Sequence, residues 1–264
     1  MLRHLSGAVA PATRSASLSI WGKLFGGMAG FAFGGPLGAL VGAFAGHAMD
    51  QLREQGDALG LSPSRAAKQT VFAVAAIVLG AKMAKADGRV SRAEVNAFKQ
   101  VFQIPQGEKA RVGRIFNLAK RDAAGFEPYA RQVAALFRDQ PAVLEELLAG
   151  LFCIARADGE PGPAQRAFLR QIAGIFGIGD AAFDRLKAGS SPQSVSGDPY
   201  AVLGVKRNAR DEEVKAAYRR LIRENHPDTL VAKGMPQEFI QLANERMATI
   251  NAAYDQIEKL RGMK

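Results

Sequence analysis

DEEVKAAYRRLIRENHPD, residues 211–228, predicts an amphipathic helix that ends at a proline turn. Asp211 is predicted to cap this helix, which runs to about Asn225. Because proline cannot continue a helix, Pro227 forces a turn that presents His226 and Asp228 at its tip. The apolar face of the helix carries Val214, Ala217, Tyr218, Leu221 and Ile222, and the basic face carries Lys215, Arg219, Arg220 and Arg223.

The turn beside this basic face is a docking site rather than a catalytic one. It contains no nucleophile paired with a base and no second carboxylate, so we predict that the protein is not an enzyme. A hydrolase hidden in the middle of the chain is also disfavoured, since His4, His47 and His226 are the only histidines. An acidic partner fits the basic face, and Asp228 can pair with a partner arginine.

The segments around this stretch predict a small helical hairpin. Asp198 caps a short helix that Pro199 opens and Gly204 ends. A loop follows the tripeptide as far as Met235, and a long last helix begins at about Pro236. Two amphipathic helices of this length pair as an antiparallel hairpin. The apolar positions of the last helix are Phe239, Leu242, Ala243, Met247, Ile250, Ala253, Tyr254 and Ile257.

Residues 62–188 are predicted to form an all-helical domain that begins at Ser62-Pro63. The segment Val71 to Ala81 is apolar nearly all round and predicts a buried central helix. Residues 189–197 have the Gly/Ser/Pro composition of a flexible linker, which separates this domain from residues 198–264. Further helices are predicted at about 91–103, 107–121, 128–138, 141–156, 163–176 and 180–187.

An internal repeat lies within the helical domain. MAKADG at 83–88 is echoed by IARADG at 154–159, and each copy precedes a new helix. Asp87, Glu94 and Asp158, with Glu160, could bind a divalent cation, although the alternating oxygens of an EF-hand are missing. Turn and capping roles explain the same residues without a metal, and Ser91 and Glu94 have the spacing of a capping box.

Residues 20–49 predict a glycine-rich transmembrane segment. No charged residue occurs from Leu24 to Ala48, which is about the length that crosses a bilayer. Glycines recur at every fourth residue and would let two helices approach closely, so a homodimer is possible. Pro36 leaves two alternatives open, a membrane hairpin and a soluble packing element. The glycines are Gly26, Gly30, Gly34, Gly38, Gly42 and Gly46.

The N-terminal flanks carry less information. Residues 1–19 predict a short tail, with an organellar presequence as the alternative, and residues 50–61 predict a polar connector. Basic residues flank both ends of the apolar segment, so the positive-inside rule does not orient it.

Composition limits the class of protein. An apolar content of 48% provides a buried core, and one cysteine, Cys153, excludes an internal disulfide. Cys153 is predicted to be a buried small hydrophobe in a helix. The net charge of +10 invites a nucleic-acid partner, but no basic block, zinc-ligand set or aromatic platform accompanies it. We therefore predict that the protein does not bind nucleic acid.

The C-terminal segment resembles a J-domain. The resemblance rests on DPY at 198–200, AYRRL at 217–221, HPD at 226–228 and IN-x-AY at 250–254. It implies docking on a DnaK-type ATPase chaperone, with the four basic residues as contacts and the tripeptide as the trigger of ATP hydrolysis. It also implies a core made by Tyr200, Leu203, Tyr218, Leu221, Ile250 and Tyr254. Asn225 and Thr229 depart from the common pattern of J-domains.

The helical domain resembles TerB-like domains of tellurite-resistance proteins, on the strength of the duplicated Ala-Asp-Gly turns. That resemblance implies metal binding by the acidic turn residues, but Gln165 replaces Glu94 in the second copy. The whole arrangement resembles membrane-anchored DnaJ-like co-chaperones. It implies an all-α co-chaperone at the cytoplasmic face of a bacterial inner membrane, without a bound cofactor. The alternative is a cytoplasmic or metal-sensing stress-response protein with the J-domain as its effector.

Overall fold

The computed structural model describes residues 36–37, 65–121, 125–190 and 198–263, and these form helices without a strand. The all-α prediction is confirmed. Helices in the first part of the described chain are α1 Arg65–Lys85, α2 Arg92–Val101, α3 Lys109–Ala119, α4 Glu127–Leu136, α5 Pro141–Ala155, α6 Pro163–Phe176 and α7 Asp180–Gly189. The remainder are α8 Pro199–Leu203, α9 Asp211–Glu224, α10 Pro227–Ala232 and α11 Ile240–Arg261, with single 3₁₀ turns at Gln106–Glu108 and Gln237–Phe239.

Helix α1 is the centre of the first bundle. It packs against α3, α4, α5 and α6, and every residue from Val71 to Ala84 is buried. A helix that is apolar all round has no face to offer to water, so neighbours cover it on every side. The predicted central helix is confirmed, although it extends further at both ends. Its predicted start at Ser62-Pro63 lies outside the described residues.

The two repeated turns join helices in the same way. Gly88 and Gly159 have φ angles of 90° and 135°, which residues with a side chain rarely adopt. After the first turn, Ser91 accepts from the Glu94 N–H and the Glu94 carboxylate accepts from the Ser91 N–H, which confirms the capping box. After the second turn, Gly162 has no side chain, and only the return bond from its N–H to Gln165 is made.

The J-domain-like segment has the predicted hairpin. Asp198 caps α8 by accepting from the Tyr200 N–H, and Arg261 near the end of α11 contacts Asp211 at the start of α9. The stacked rings of Tyr218 and Tyr254 lie between these ends, so α9 and α11 run antiparallel. The six predicted core residues belong to this cluster, four of them buried and the two stacked tyrosines partly buried.

The predicted cap of α9 was wrong by one residue. Arg210 has the extended backbone of a cap residue, and Asp211 is already the first helical residue. The Arg210 N–H donates to the Glu213 carboxylate over 2.7 Å, so the bond that closes this terminus comes from the third helical residue. Asp211 instead pairs with Arg261.

The apolar stripe of α11 and the turn before it is divided between two cores. Phe239 and Ala243 are buried with the first bundle, whereas Ile250, Ala253 and Ile257 are buried with α8 and α9. The sequence predicted one stripe for one hairpin. Helical spacing shows that a face is buried, but it does not show which neighbour covers it.

The predicted flexible boundary does not separate the packed helices. Gly189 ends α7, and residues 191–197 lie outside the described chain. On the two sides of this gap, α7 packs against α8 and α11, and α5 packs against α11. The hairpin therefore rests on the first bundle.

Phe239→Ala tests this packing. The Phe239 ring is fully buried and lies 4.9 Å from the Phe72 ring and 5.0 Å from the Phe102 ring, measured between centroids. We expect the substitution to lower the free energy of unfolding by about 3–5 kcal/mol, the usual cost of truncating a buried phenylalanine. Urea unfolding followed by circular dichroism measures the change.

Leu260→Ala on the same helix is the matched control, because Leu260 is 66% exposed. Its effect should stay within about 0.5 kcal/mol. A shared core also predicts that wild-type α1–α7 and α8–α11 unfold in one transition. Two separate transitions, with Phe239→Ala affecting only the second, would contradict a shared core.

Candidate functional site

The His-Pro-Asp tripeptide starts a short helix rather than lying in a loop. His226 is the cap residue of α10, and its Nδ1 accepts a hydrogen bond from the Asp228 N–H over 3.3 Å. Pro227 occupies the first helical position, where the missing N–H costs nothing. The predicted loop as far as Met235 is therefore wrong over Pro227–Ala232. A helix of six residues is too short to be recognised from the spacing of its apolar residues.

This cap geometry determines which atoms of the tripeptide face solvent. Because Nδ1 of His226 accepts a bond, the proton of the neutral ring lies on Nε2. The side chain of His226 is 48% exposed and that of Asp228 is 92% exposed, whereas Pro227 is buried. The tripeptide thus offers a partner one ring donor and one free carboxylate, whose Oδ2 lies 3.9 Å from Nδ1 of His226.

Asn225 holds the corner between α9 and α10. It is only 1% exposed, and its Nδ2 donates to the Leu221 carbonyl over 2.8 Å. The bond turns the side chain back onto its own helix, where the Leu221 carbonyl also accepts the backbone N–H of Asn225 over 3.0 Å. Asn225, the departure from the common J-domain pattern, therefore has a structural role beside His226.

The residues after the tripeptide fix it to the first bundle. Leu230, Met235 and Phe239 are fully buried and belong to the core built around α1. The Met235 carbonyl also accepts a hydrogen bond from Gln69 of α1 over 3.3 Å. Sequence analysis missed this anchor, although Leu230 and Met235, two apolar side chains in a predicted loop, were a signal of burial.

The basic residues of α9 precede the tripeptide, and Arg223 in the last turn is the nearest to it in sequence. Arg219, Arg220 and Arg223 are exposed, and Lys215 is half-buried. The acidic residues of α9 lie mainly in its first turn, with Glu224 the exception, so most of the positive charge lies near His226. We call Lys215, Arg219, Arg220, Arg223, His226 and Asp228 the trigger face. It combines positive charge with one exposed carboxylate and can bind an acidic surface.

An ion network joins α11 to the first bundle. Arg246 of α11 contacts Glu145 and Glu146 of α5 over 3.3 and 3.2 Å, and Arg185 of α7 contacts Glu145 over 2.7 Å. Burial raises the pKa of Glu146, and the charge of Arg246 opposes that rise. Removing one member would leave a buried charge without its partner, which is strongly destabilising. Sequence analysis did not predict this network.

One of the predicted cation ligands, Glu94, is hydrogen-bonded by groups of the chain itself. Glu94 is 1% exposed, and its two carboxylate oxygens accept from the Ser91 N–H and from Nε2 of Gln165, over 2.8 and 2.7 Å. Burial is the largest cause that raises the pKa of Glu94, with smaller effects from the charges of Asp158 and Asp87. Nowhere in the described residues do three or more Asp, Glu, His or Cys side chains gather as a cation would require. The side-chain amide of Gln165 in the second repeat thus donates a hydrogen bond to the Glu94 carboxylate of the first repeat.

The glycine ridge lies outside the described residues, as do residues 1–19 and the connector at 50–61. In the predicted membrane segment only Pro36 and Leu37 are described. Leu37 is buried with the first bundle, and its N–H donates to Gln132 of α4 over 2.9 Å. That contact agrees with the packing-element alternative at this one position. Among the described helices, none has the length and apolarity of a membrane span.

Three family models match successive parts of the chain. Residues 18–67 match the co-chaperone DjlA transmembrane domain, residues 73–188 match the tellurite resistance protein TerB, and residues 198–260 match the DnaJ domain. The resemblances of the C-terminal segment to a J-domain and of the helical domain to TerB are therefore confirmed as family relationships. No solved structure matches the chain.

Curated relatives match this chain over nearly their whole length. Co-chaperone protein DjlA of Coxiella burnetii is 33% identical over 92% of this chain and 98% of its own. The protein of the same name from Photobacterium profundum is 32% identical over 93% and 100%. The one from Escherichia coli O157:H7 is 27% identical over 94% and 100%. With its TerB-like bundle, its J-domain and these relatives, the chain belongs to the DjlA family of co-chaperones.

Proposed function

We propose that the chain docks its trigger face on a DnaK-type chaperone and stimulates ATP hydrolysis by that partner, while tethered at the cytoplasmic face of the inner membrane. The exposure of His226 and Asp228 carries the proposal. Both side chains reach solvent although the segment directly after them is buried in the first bundle. The trigger face is accessible without any separation of the J-domain from the TerB-like domain.

Rigidity supports the proposed role. Asn225 precedes the tripeptide and Leu230 follows it, and both are buried, so His226 and Asp228 are held between two fixed points. A partner that binds such a preorganised face loses little free energy to ordering it. Positive charge on α9 would steer an acidic surface towards the tripeptide and raise the association rate.

Membrane tethering rests on the match of residues 18–67 to the transmembrane domain of the family. Pairing of two copies through the glycine ridge stays a prediction. Cation binding by Asp87, Glu94 and Asp158, on which the metal-sensing alternative depends, stays a prediction.

His226→Gln tests the trigger. We expect the single-turnover ATP hydrolysis rate of the chaperone to fall from its stimulated value to its basal value, because glutamine does not reproduce the ring donor held by the Asp228 N–H bond. Loss of the cap should cost only about 1 kcal/mol of stability. Lys259→Gln is the control, since Lys259 is exposed in the last turn of α11, which lies beside the start of α9 and away from the tripeptide. Undiminished stimulation by folded His226→Gln protein would rule out this mechanism.

Arg223→Glu tests the electrostatic part. Reversing an exposed charge beside the tripeptide should slow association with the chaperone roughly tenfold at low salt, and the difference from wild type should shrink as salt is added. Lys259→Glu reverses an exposed charge in the last turn of α11 and should leave the rate nearly unchanged. Stopped-flow binding at two ionic strengths measures both variants. Equal effects of the two reversals would mean that net charge, and not the trigger face, governs association.

Deletion of residues 1–49 tests the tether. The full-length protein should sediment with membranes and resist a carbonate wash, and the deleted protein should be released, because an apolar segment of this length supplies the anchor. Stimulation of the chaperone in solution should survive the deletion. Recovery of the full-length protein in the soluble fraction would refute the tether and leave the docking proposal standing.

A further inference from the structure

A cavity of about 470 Å³ lies between the TerB-like domain and the J-domain. Helices α2, α5 and α7 form one side of it, and α8 and α11 form the other, so neither domain encloses it alone. Its volume is within the range of small-molecule sites, about 300–1,000 Å³. The interior can cover the apolar body of a ligand, because much of the wall is apolar. The side chains that make it so are Ala97, Ala149, Leu186, Val202, Leu242 and Ile250.

Three arginines line the cavity among the described residues, and all of them are paired with carboxylates of the chain. Arg156 contacts Glu160 over 3.3 Å, whereas Arg185 and Arg246 contact carboxylates of α5. Because each positive charge is offset at short range, the arginines contribute little net attraction for an anion in the cavity.

Among the described residues that line the wall, only Glu245 of α11 is acidic. Its side chain is exposed, so it lies where the cavity opens to solvent. It accepts a hydrogen bond from the Gln241 side chain over 3.0 Å, and within the described part of the chain it has no ion pair. A neutral amide leaves the negative charge of Glu245 uncompensated.

Cys153 of α5 also lines the cavity, and its thiol senses the charge around it. The pKa of this thiol is raised to about 11, first by burial and then by the charges of Glu146 and Glu245. Arg246 acts in the opposite direction with a smaller effect. A negative potential that hinders formation of the thiolate also attracts a cation.

We propose that the cavity binds a small organic cation with an apolar body. The apolar wall covers the body, and the cationic group lies beside Glu245 at the opening. Loss of apolar surface from water supplies most of the affinity. Exposed ion pairs are weak, so Glu245 supplies selectivity for charge, roughly threefold in the dissociation constant. This site is separate from the trigger face and goes beyond the proposed docking.

Alkylation of Cys153 tests the site in the full-length protein. Cys153 is the only cysteine of the chain, so a thiol reagent reports on this cavity alone. The full chain in lipid nanodiscs is treated with iodoacetamide at mildly alkaline pH, and mass spectrometry of the intact protein follows the rate. The compounds compared are hexyltrimethylammonium, hexanol and hexanoate, which share an apolar chain of similar length and differ in charge.

Hexyltrimethylammonium at about five times its dissociation constant should slow alkylation roughly sixfold, since only about a sixth of the sites stay open. Hexanol at the same concentration should slow it less than about threefold, and hexanoate should protect least. Equal protection by all three compounds, or the strongest protection by hexanoate, would overturn the cation site. An absence of protection by any of them would overturn the cavity as a binding site.

Glu245→Gln identifies the residue. The change removes the charge of an exposed side chain and keeps its shape, so stability should hardly change. In this variant hexyltrimethylammonium and hexanol should protect equally. Glu212→Gln removes an exposed charge from the first turn of α9, outside the cavity wall, and should behave as wild type. A preference for the cation that survives in Glu245→Gln protein would refute the role of Glu245.

Thermal unfolding provides a second measurement, which does not need the thiol to react. A ligand that binds only the folded protein raises the Tm. Hexyltrimethylammonium should raise the Tm of the wild type and of Glu212→Gln protein more than that of Glu245→Gln protein. An equal change in all three proteins would mean that the cation does not bind beside Glu245, and it would overturn the proposal.

Discussion

Burial of Leu230, Met235 and Phe239 against α1 is the constraint on which the rest of the structure depends. These side chains belong to the J-domain by sequence and to the TerB-like core by packing. Phe239 lies edge-on to Phe72 and tilted against Phe102, so aromatic contacts add to the loss of apolar surface from water. A J-domain that supplies part of a neighbour's core is held in one orientation, and the tripeptide points away from the bundle as a result.

Ion pairs also hold the J-domain against the first bundle. The contacts of Arg246 with Glu145 and Glu146 hold α11 against α5 of the first bundle. Charges in this region are used in two ways, as pairs within the interface and as an exposed basic surface on α9.

Much of this architecture could be predicted from sequence because its signals are local. The apolar run at Val71, the capping box at Ser91 and Glu94, the cap at Asp198 and the hairpin core each depend on residues close along the chain or at helical spacing. The sequence did not predict which element of the chain each buried face or charged side chain contacts. Apolar spacing in α11 does not distinguish one core from two, and the pairing of Arg246 with Glu146 joins residues that are far apart in sequence. Gln165 stands in the second repeat where Glu94 stands in the first. The sequence showed this difference, but it did not show the hydrogen bond between the two side chains.

Helix α11 contributes residues to two hydrophobic cores, and this limits how either domain can be changed. A substitution near the N-terminal end of α11 must fit the core of the TerB-like bundle. A substitution nearer its C-terminal end must fit the core of the hairpin. Neither domain can be exchanged for an unrelated one without leaving half of a helix uncovered. The two modules of this chain are therefore joined by a helix that completes the core of each.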